Sequence, residues 1–122
     1  MKSMLARNTT TGAVIAEHVD VADSHLTRAV GLLSRSGLAS SEGLWIVPSR
    51  GVHTWGMRFP IDVVALDANG VVVDCVPAMK PWRMRLPRKG TLGVLELRAG
   101  RLAETQTTIG HVIRFDPRTV TA

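Results

Sequence analysis

The segment that decides the fold is IDVVALDANGVVVDCV, residues 61–76. Two valine-rich apolar runs, Ile61 to Leu66 and Val71 to Val76, stand on either side of the tetrapeptide Asp67-Ala68-Asn69-Gly70. Branched residues such as Val and Ile favour strands because their side chains pack well on a pleated surface. An Asn-Gly pair supplies the positive φ that a tight turn requires, so this segment predicts an antiparallel β-hairpin.

The strand-like pattern continues on both sides of the hairpin. It predicts further strands over residues 13–19, 43–47, 82–86, 92–97 and 111–115. Apolar residues at i, i+3, i+4 and i+7 predict a helix over residues 24–33, and residues 99–106 form a second short helix candidate. Short turns leave little room for parallel crossovers. We therefore expect a single domain over residues 1–122, a mainly β, compact antiparallel barrel or sandwich with one or two short α-helices packed on it.

Composition and charge narrow the class of protein. Of the 122 residues 45% are hydrophobic and 20% are charged, which is typical of a globular chain. Fifteen Lys and Arg against ten Asp and Glu give a net charge of +5, which raises the question of an anionic partner.

The single cysteine, Cys75, excludes an intrachain disulfide and is expected to be a small core residue. Without an apolar run of membrane-spanning length or an N-terminal signal sequence, we expect a cytoplasmic protein with no membrane span.

The densest group of polar side chains lies between residues 53 and 62. Asp62 interrupts an apolar strand run, where a carboxylate is costly to bury unless it is paired, and Arg58 and His53 are the nearest partners. Either an ion pair fixes this loop, or His53 acts as a general base oriented by Asp62. Glu96 interrupts Val94 to Leu97 in the same way, and either joins Asp62 and Arg98 in one polar cluster or faces solvent. The candidate ligand-binding residues are His53, Thr54, Trp55, Met57, Arg58, Asp62 and Glu96.

A basic stretch, KPWRMRLPRK, occupies residues 80–89. With Trp82 it offers groups that bind phosphates and stack on a base. The alternative, which we favour, is a solvated edge strand in which the two prolines block strand pairing. The scattered histidines predict neither a metal site nor a cofactor. The weak candidates for anion binding are Lys80, Arg83, Arg85, Arg88 and Lys89.

Three motifs together resemble one family. RAVGLLSR at residues 28–35, HTWGMRFPIDVV at 53–64 and VLELRAG at 94–100 are similar, in this order, to motifs of the domain of unknown function 192 family, also called uncharacterised protein family 0127. The resemblance covers most of the chain. It implies a compact, mainly β barrel or sandwich with a helix or two, and it implies no activity, because the family has none established.

These observations favour a binding role over an enzymatic one. No nucleophile motif of the Gly-x-Ser-x-Gly type is present. The leading hypothesis is a non-catalytic accessory module that binds an unknown small molecule or protein through the segment from His53 to Asp62. One alternative is a small hydrolase that uses His53 with Asp62 or Glu96. A second is a weak anion or nucleic-acid binder that uses Lys80 to Lys89.

Overall fold

A computed structural model describes residues 3–22, 38–49, 52–53, 59–81, 83–85 and 88–118, with the backbone alone at 52–53. The predicted mainly β class is confirmed. The elements within these ranges are β1 (Ser3–Asn8), β2 (Val14–Ala22), β3 (Glu42–Ile46), β4 (Val52–His53), β5 (Ile61–Leu66), β6 (Val72–Met79), β7 (Met84–Arg85), β8 (Gly93–Arg98), α1 (Arg101–Thr105) and β9 (Ile113–Pro117). The helix predicted over residues 24–33 lies outside the described residues.

Seven of the strands form one sheet that curls into a half-barrel. Their order is β6-β5-β8-β3-β2-β1-β9, and β4 and β7 pair separately as a two-stranded ribbon. The two outer strands approach each other at one end, where Val71 and Val112 form an isolated bridge. There the amide of Ile113 donates to the carbonyl of Gly70 at 2.8 Å. We call this junction of residues 70–72 with residues 110–113 the seam.

The sheet is not wholly antiparallel, which corrects one expectation from the sequence. β2 and β3 run parallel, with His18 opposite Glu42 and Ala22 opposite Ile46. A parallel pair needs a connection of about a dozen residues or more. Residues 23–41, which join these two strands, are long enough to return the chain to the same end of the sheet.

The predicted hairpin is confirmed as β5 and β6, which pair antiparallel. In its turn, Oδ1 of Asp67 accepts hydrogen bonds from the amides of Asn69 at 2.8 Å and Val71 at 2.9 Å. Gly70 has a φ of +81°, and a Cβ on it would lie 2.5 Å from the carbonyl oxygen of Ile113. Glycine is therefore required twice here, by the turn conformation and by the close approach of the seam.

Buried side chains divide between the two faces of the sheet. The inner face of the curl carries the larger core, and β5 and β8 contribute Val64, Leu66, Leu95 and Leu97 to it. The outer face carries a second cluster that contains Ile61, Val63 and Val94. This division follows from the period of two along a strand, which places neighbouring residues on opposite faces.

Helix α1 confirms the second helix predicted from the sequence, and it packs beside β2. The Arg101 guanidinium donates from Nε to the carbonyl of Ile15 at 2.8 Å and from a terminal nitrogen to the carbonyl of Val14 at 3.0 Å. Leu102 is buried in the inner core. No helix among the described residues is long and apolar enough to cross a membrane.

Candidate functional site

The segment predicted to hold the site is only partly described. His53 lies in β4, where its backbone pairs with Met84 of β7. Thr54, Trp55, Met57 and Arg58 lie outside the described residues. The structure therefore leaves the predicted pairing of His53 or Arg58 with Asp62 as a prediction.

Asp62 is completely buried on the inner face of β5. Its Oδ1 accepts a hydrogen bond from the amide of Ala78 at 2.7 Å, and its Oδ2 accepts one from the amide of Leu102 at 2.8 Å. Ala78 has a positive φ of 48°, and Leu102 is the second residue of α1. One carboxylate thus joins β5, β6 and the start of the helix. Its described partners are backbone amides, where the sequence predicted a cation.

Glu96 is also completely buried, but it lies on the other face of the sheet. In the pairing of β5 with β8, Glu96 is opposite Val63, whereas Asp62 is opposite Leu97. Cross-strand partners share a face, and neighbouring residues alternate between faces. The structure therefore does not bring Asp62 and Glu96 into one polar cluster, and the two carboxylates cannot act together on one substrate.

The basic stretch is partly engaged in an internal ion pair. Arg85 donates to both oxygens of Asp74, from Nε at 2.8 Å and from a terminal nitrogen at 2.9 Å. Arg88 lies 3.8 Å from the same carboxylate. The hydrogen bonds from Arg85 hold the pKa of Asp74 below its ordinary value, although burial opposes this effect. Two of the five predicted anion-binding cations are therefore turned toward an acid of the protein itself.

Cys75 does not have the character of a reactive thiol. It packs against the inner core beside β5. Burial, together with the negative charges of Asp74 and Asp62, raises the pKa of its thiol to about 11. Because the thiolate is the nucleophilic form, such a thiol is largely unreactive near neutral pH.

A pocket that the sequence did not predict opens at the seam. It has a volume of about 610 Å³, and we call it the seam pocket. Its aromatic wall consists of Trp45 and Phe115, whose ring centroids lie 4.8 Å apart with their planes inclined by 37°. The residues that line it are Thr9, Trp45, Leu66, Asp67, Ala68, Asn69, Gly70, Leu92, Val112, Ile113, Arg114 and Phe115.

The position of the Trp45 indole depends on a glycine in the neighbouring strand. A Cβ on Gly93 would lie 2.5 Å from Cη2 and 2.6 Å from Cζ2 of Trp45. Such distances are far inside van der Waals contact, so any side chain at position 93 would push the indole aside. Gly93 therefore allows the ring to lie across β8 and form the wall of the pocket.

Comparison with known proteins gives a family and a fold. The family model DUF192, described as "Uncharacterized ACR", matches residues 6–115. The UPF0127 protein of Pyrococcus furiosus is 30% identical over 114 residues, covering 89% of this chain and 96% of the relative. The UPF0127 protein of Pyrococcus horikoshii is 30% identical over 102 residues, covering 80% of this chain and 86% of the relative.

Two solved structures share the fold at low sequence identity. A protein of unknown function from Novosphingobium aromaticivorans has a TM-score of 0.76 at 19% identity, covering 92% of this chain and 83% of its own. A candidate transcription regulator from Sinorhizobium meliloti has a TM-score of 0.76 at 18% identity, covering 93% of this chain and 92% of its own. The match to the family spans nearly the whole chain and confirms the resemblance seen in the motifs. This chain belongs to the DUF192 family, whose curated relatives carry the name UPF0127.

Proposed function

We propose that the protein is a non-catalytic module that binds a small molecule in the seam pocket. The observation that carries this proposal is the pocket itself, a concave surface of about 610 Å³ with an aromatic and aliphatic lining and a few polar groups at its edge. Small-molecule sites are typically concave, mostly apolar and roughly 300–1,000 Å³ in volume. The seam pocket has all three properties.

The buried acids support a binding role over a catalytic one. Asp62 uses both oxygens to hold backbone amides, and Asp74 uses both to hold Arg85. The hydrolase alternative needs Asp62 to orient His53 or to act with Glu96, but both oxygens of Asp62 already accept from backbone amides, and Glu96 lies on the other face of the sheet. In this proposal these carboxylates maintain the fold, and the ligand lies at the seam.

A fragment screen monitored by NMR tests the proposal. Bound fragments should shift the amide signals of residues 66–70 and 112–115 in the ¹⁵N-labelled protein. Leu92 lines the pocket with a side chain that is 40% exposed, so the larger indole of Leu92→Trp should enter the pocket without disturbing the core. We expect this variant to weaken fragment binding about tenfold or more, equivalent to about 1.4 kcal/mol, because the indole occupies space that a fragment would fill.

Ile109→Trp provides the matched control. Ile109 is an exposed aliphatic residue, 59% accessible, and it is not among the residues that line the pocket. This variant should bind fragments as the parent does. Fragments that shift no signal at the seam, or that bind Leu92→Trp as well as the parent, would contradict the proposal.

A further inference from the structure

We infer that the seam pocket selects a small organic amine, with the ammonium group of the ligand on Asp67 and its apolar body on the aromatic wall. This inference rests on the function proposed above and adds the chemical class of the ligand.

Asp67 has one carboxylate oxygen available to a ligand. Its Oδ1 accepts both hydrogen bonds of the turn, from the amides of Asn69 and Val71. Among the described residues, no donor engages Oδ2. The side chain is half-buried and lines the pocket. The turn therefore holds a carboxylate in fixed orientation at the edge of the pocket and leaves one oxygen for a donor from outside.

The charges around the pocket favour a cation over an anion. Among the described residues that line it, Asp67 and Arg114 are the charged ones. The Nε of Arg114 donates to Oδ1 of Asp116 at 2.9 Å, so an acid of the same strand already balances this guanidinium. Within the described part of the chain no cation pairs with Asp67, so an anionic ligand would be repelled by its carboxylate. A cationic ligand finds a complementary charge there, even though the whole chain carries a net charge of +5.

The apolar part of the pocket suits a ring or a short aliphatic chain. Trp45 and Phe115 form the wall, and the more exposed Leu92 and Val112 add aliphatic surface. Aromatic side chains attract organic cations as well as apolar groups, because the ring faces carry negative charge density. An amine with an apolar body satisfies the carboxylate and the wall at once.

Three compounds of similar size and different charge test this inference. They are 2-phenylethylamine, 2-phenylethanol and 3-phenylpropionate, each titrated into the ¹⁵N-labelled protein and followed at the seam amides. We expect the amine to bind about fivefold more tightly than the alcohol, the size of effect that a partly exposed ion pair provides, and the carboxylate to bind most weakly.

Asp67→Asn should remove the difference between amine and alcohol. Asn retains the side-chain oxygen that accepts the turn hydrogen bonds, so the variant should melt close to the parent.

The outcomes separate this inference from the function on which it rests. Equal binding of amine and alcohol, tighter binding of the carboxylate, or a preference for the amine that survives in Asp67→Asn would overturn the inference while leaving a binding pocket at the seam. Failure of all three compounds and of the fragment screen to shift seam signals would overturn both.

Discussion

Asp74 is an acid at an almost fully buried position, and two arginines approach it from outside the sheet. The side chain of Asp74 is 6% exposed, that of Arg85 is 41% exposed and that of Arg88 is 60% exposed. Arginine matches a carboxylate with two parallel hydrogen bonds, which gives the pair a fixed geometry as well as an attractive charge. The pair joins β6 of the large sheet to β7 of the small ribbon.

The lowered pKa of Asp74 predicts how this contact depends on pH. A carboxyl whose pKa is lower in the folded than in the unfolded chain stabilises the fold above its ordinary pKa of 3.8. That contribution to stability is lost as the pH falls through the pKa that Asp74 has in the folded chain. We expect Asp74→Asn to lower the free energy of unfolding by about 1 kcal/mol at pH 7, a modest value because Arg85 is partly exposed.

Urea unfolding of the parent and of Asp74→Asn, measured between pH 7 and pH 3, checks this expectation. The difference between the two proteins should be constant from pH 7 to about pH 5 and should shrink below pH 4. Asp116→Asn, which alters a more exposed acid, is the control. A difference that is the same at pH 3 as at pH 7 would show that the charge of Asp74 contributes nothing.

At the residue scale, the sequence indicates which charges are buried but not what they contact. Asp62 and Glu96 stand out because each interrupts an apolar strand run, and both are completely buried. The amides that Asp62 binds belong to residues 16 and 40 positions further along the chain. No local pattern encodes such distant partners. The sequence therefore predicts that Asp62 pairs with the nearest cation, whereas the described contacts of Asp62 are with backbone amides.

At the scale of elements, Asp62 performs the function of an N-cap for a helix that has none of its own. The N-cap position of α1 is Gly100, which has no side chain to accept a hydrogen bond from the first turn. A cap normally accepts from the second or third helical amide. Here Oδ2 of Asp62 accepts from Leu102, the second helical residue, and so a strand caps the helix.

Removal of this side chain should therefore affect the helix and the sheet together. We expect Asp62→Ala to lower the free energy of unfolding by about 3 kcal/mol, because the buried amide of Leu102 and the part-buried amide of Ala78 lose a charged acceptor. Asp62→Asn should cost roughly half as much, since one side-chain oxygen remains.

Thermal and urea unfolding measure both effects, and Asp116→Ala should cost less than about 1 kcal/mol as the control. A melting curve of Asp62→Ala that coincides with the parent's would contradict the capping role.

Most elements were predictable because their patterns are local. Strand β5 coincides with the predicted run from Ile61 to Leu66, and β3, β6, β8 and β9 lie within a few residues of prediction. β1 was missed. Its sequence, SMLARN, has no strong alternation, and its strand conformation depends on antiparallel pairing with β2 on one side and β9 on the other. Long-range pairing overrides weak local preference in such a strand.

At the scale of the whole molecule, closure of the sheet creates the features that the sequence does not indicate. Trp45 and Phe115 are far apart in the chain, and they meet because β6 and β9, the two ends of the sheet, come together at the seam. The seam pocket therefore has no sequence motif of its own. The parallel pairing of β2 with β3 is also a global result, since it depends on the path of a long connection.

The overall charge of the molecule leads to a prediction about nucleic acid. The net charge of +5 and the basic stretch from Lys80 to Lys89 invite electrostatic binding, but Arg85 and Arg88 already face Asp74. We therefore expect weak binding that depends strongly on salt. If four cations contact phosphates, the log–log slope should be about −3 to −4, and affinity should fall about a hundredfold between 50 and 200 mM salt.

Fluorescence anisotropy with labelled duplexes of unrelated sequence measures both the slope and the selectivity. Arg88→Gln should reduce the slope by about one, because the exposed Arg88 guanidinium is available to a phosphate despite its distant contact with Asp74. Arg114→Gln, which alters an exposed arginine on β9, should leave the slope unchanged if the basic stretch is the contact surface. A specific nucleic-acid protein would prefer one duplex, because contacts to base edges carry sequence information and phosphate contacts do not. Binding that resists salt and selects one sequence would contradict the expectation and identify this surface as a specific interface.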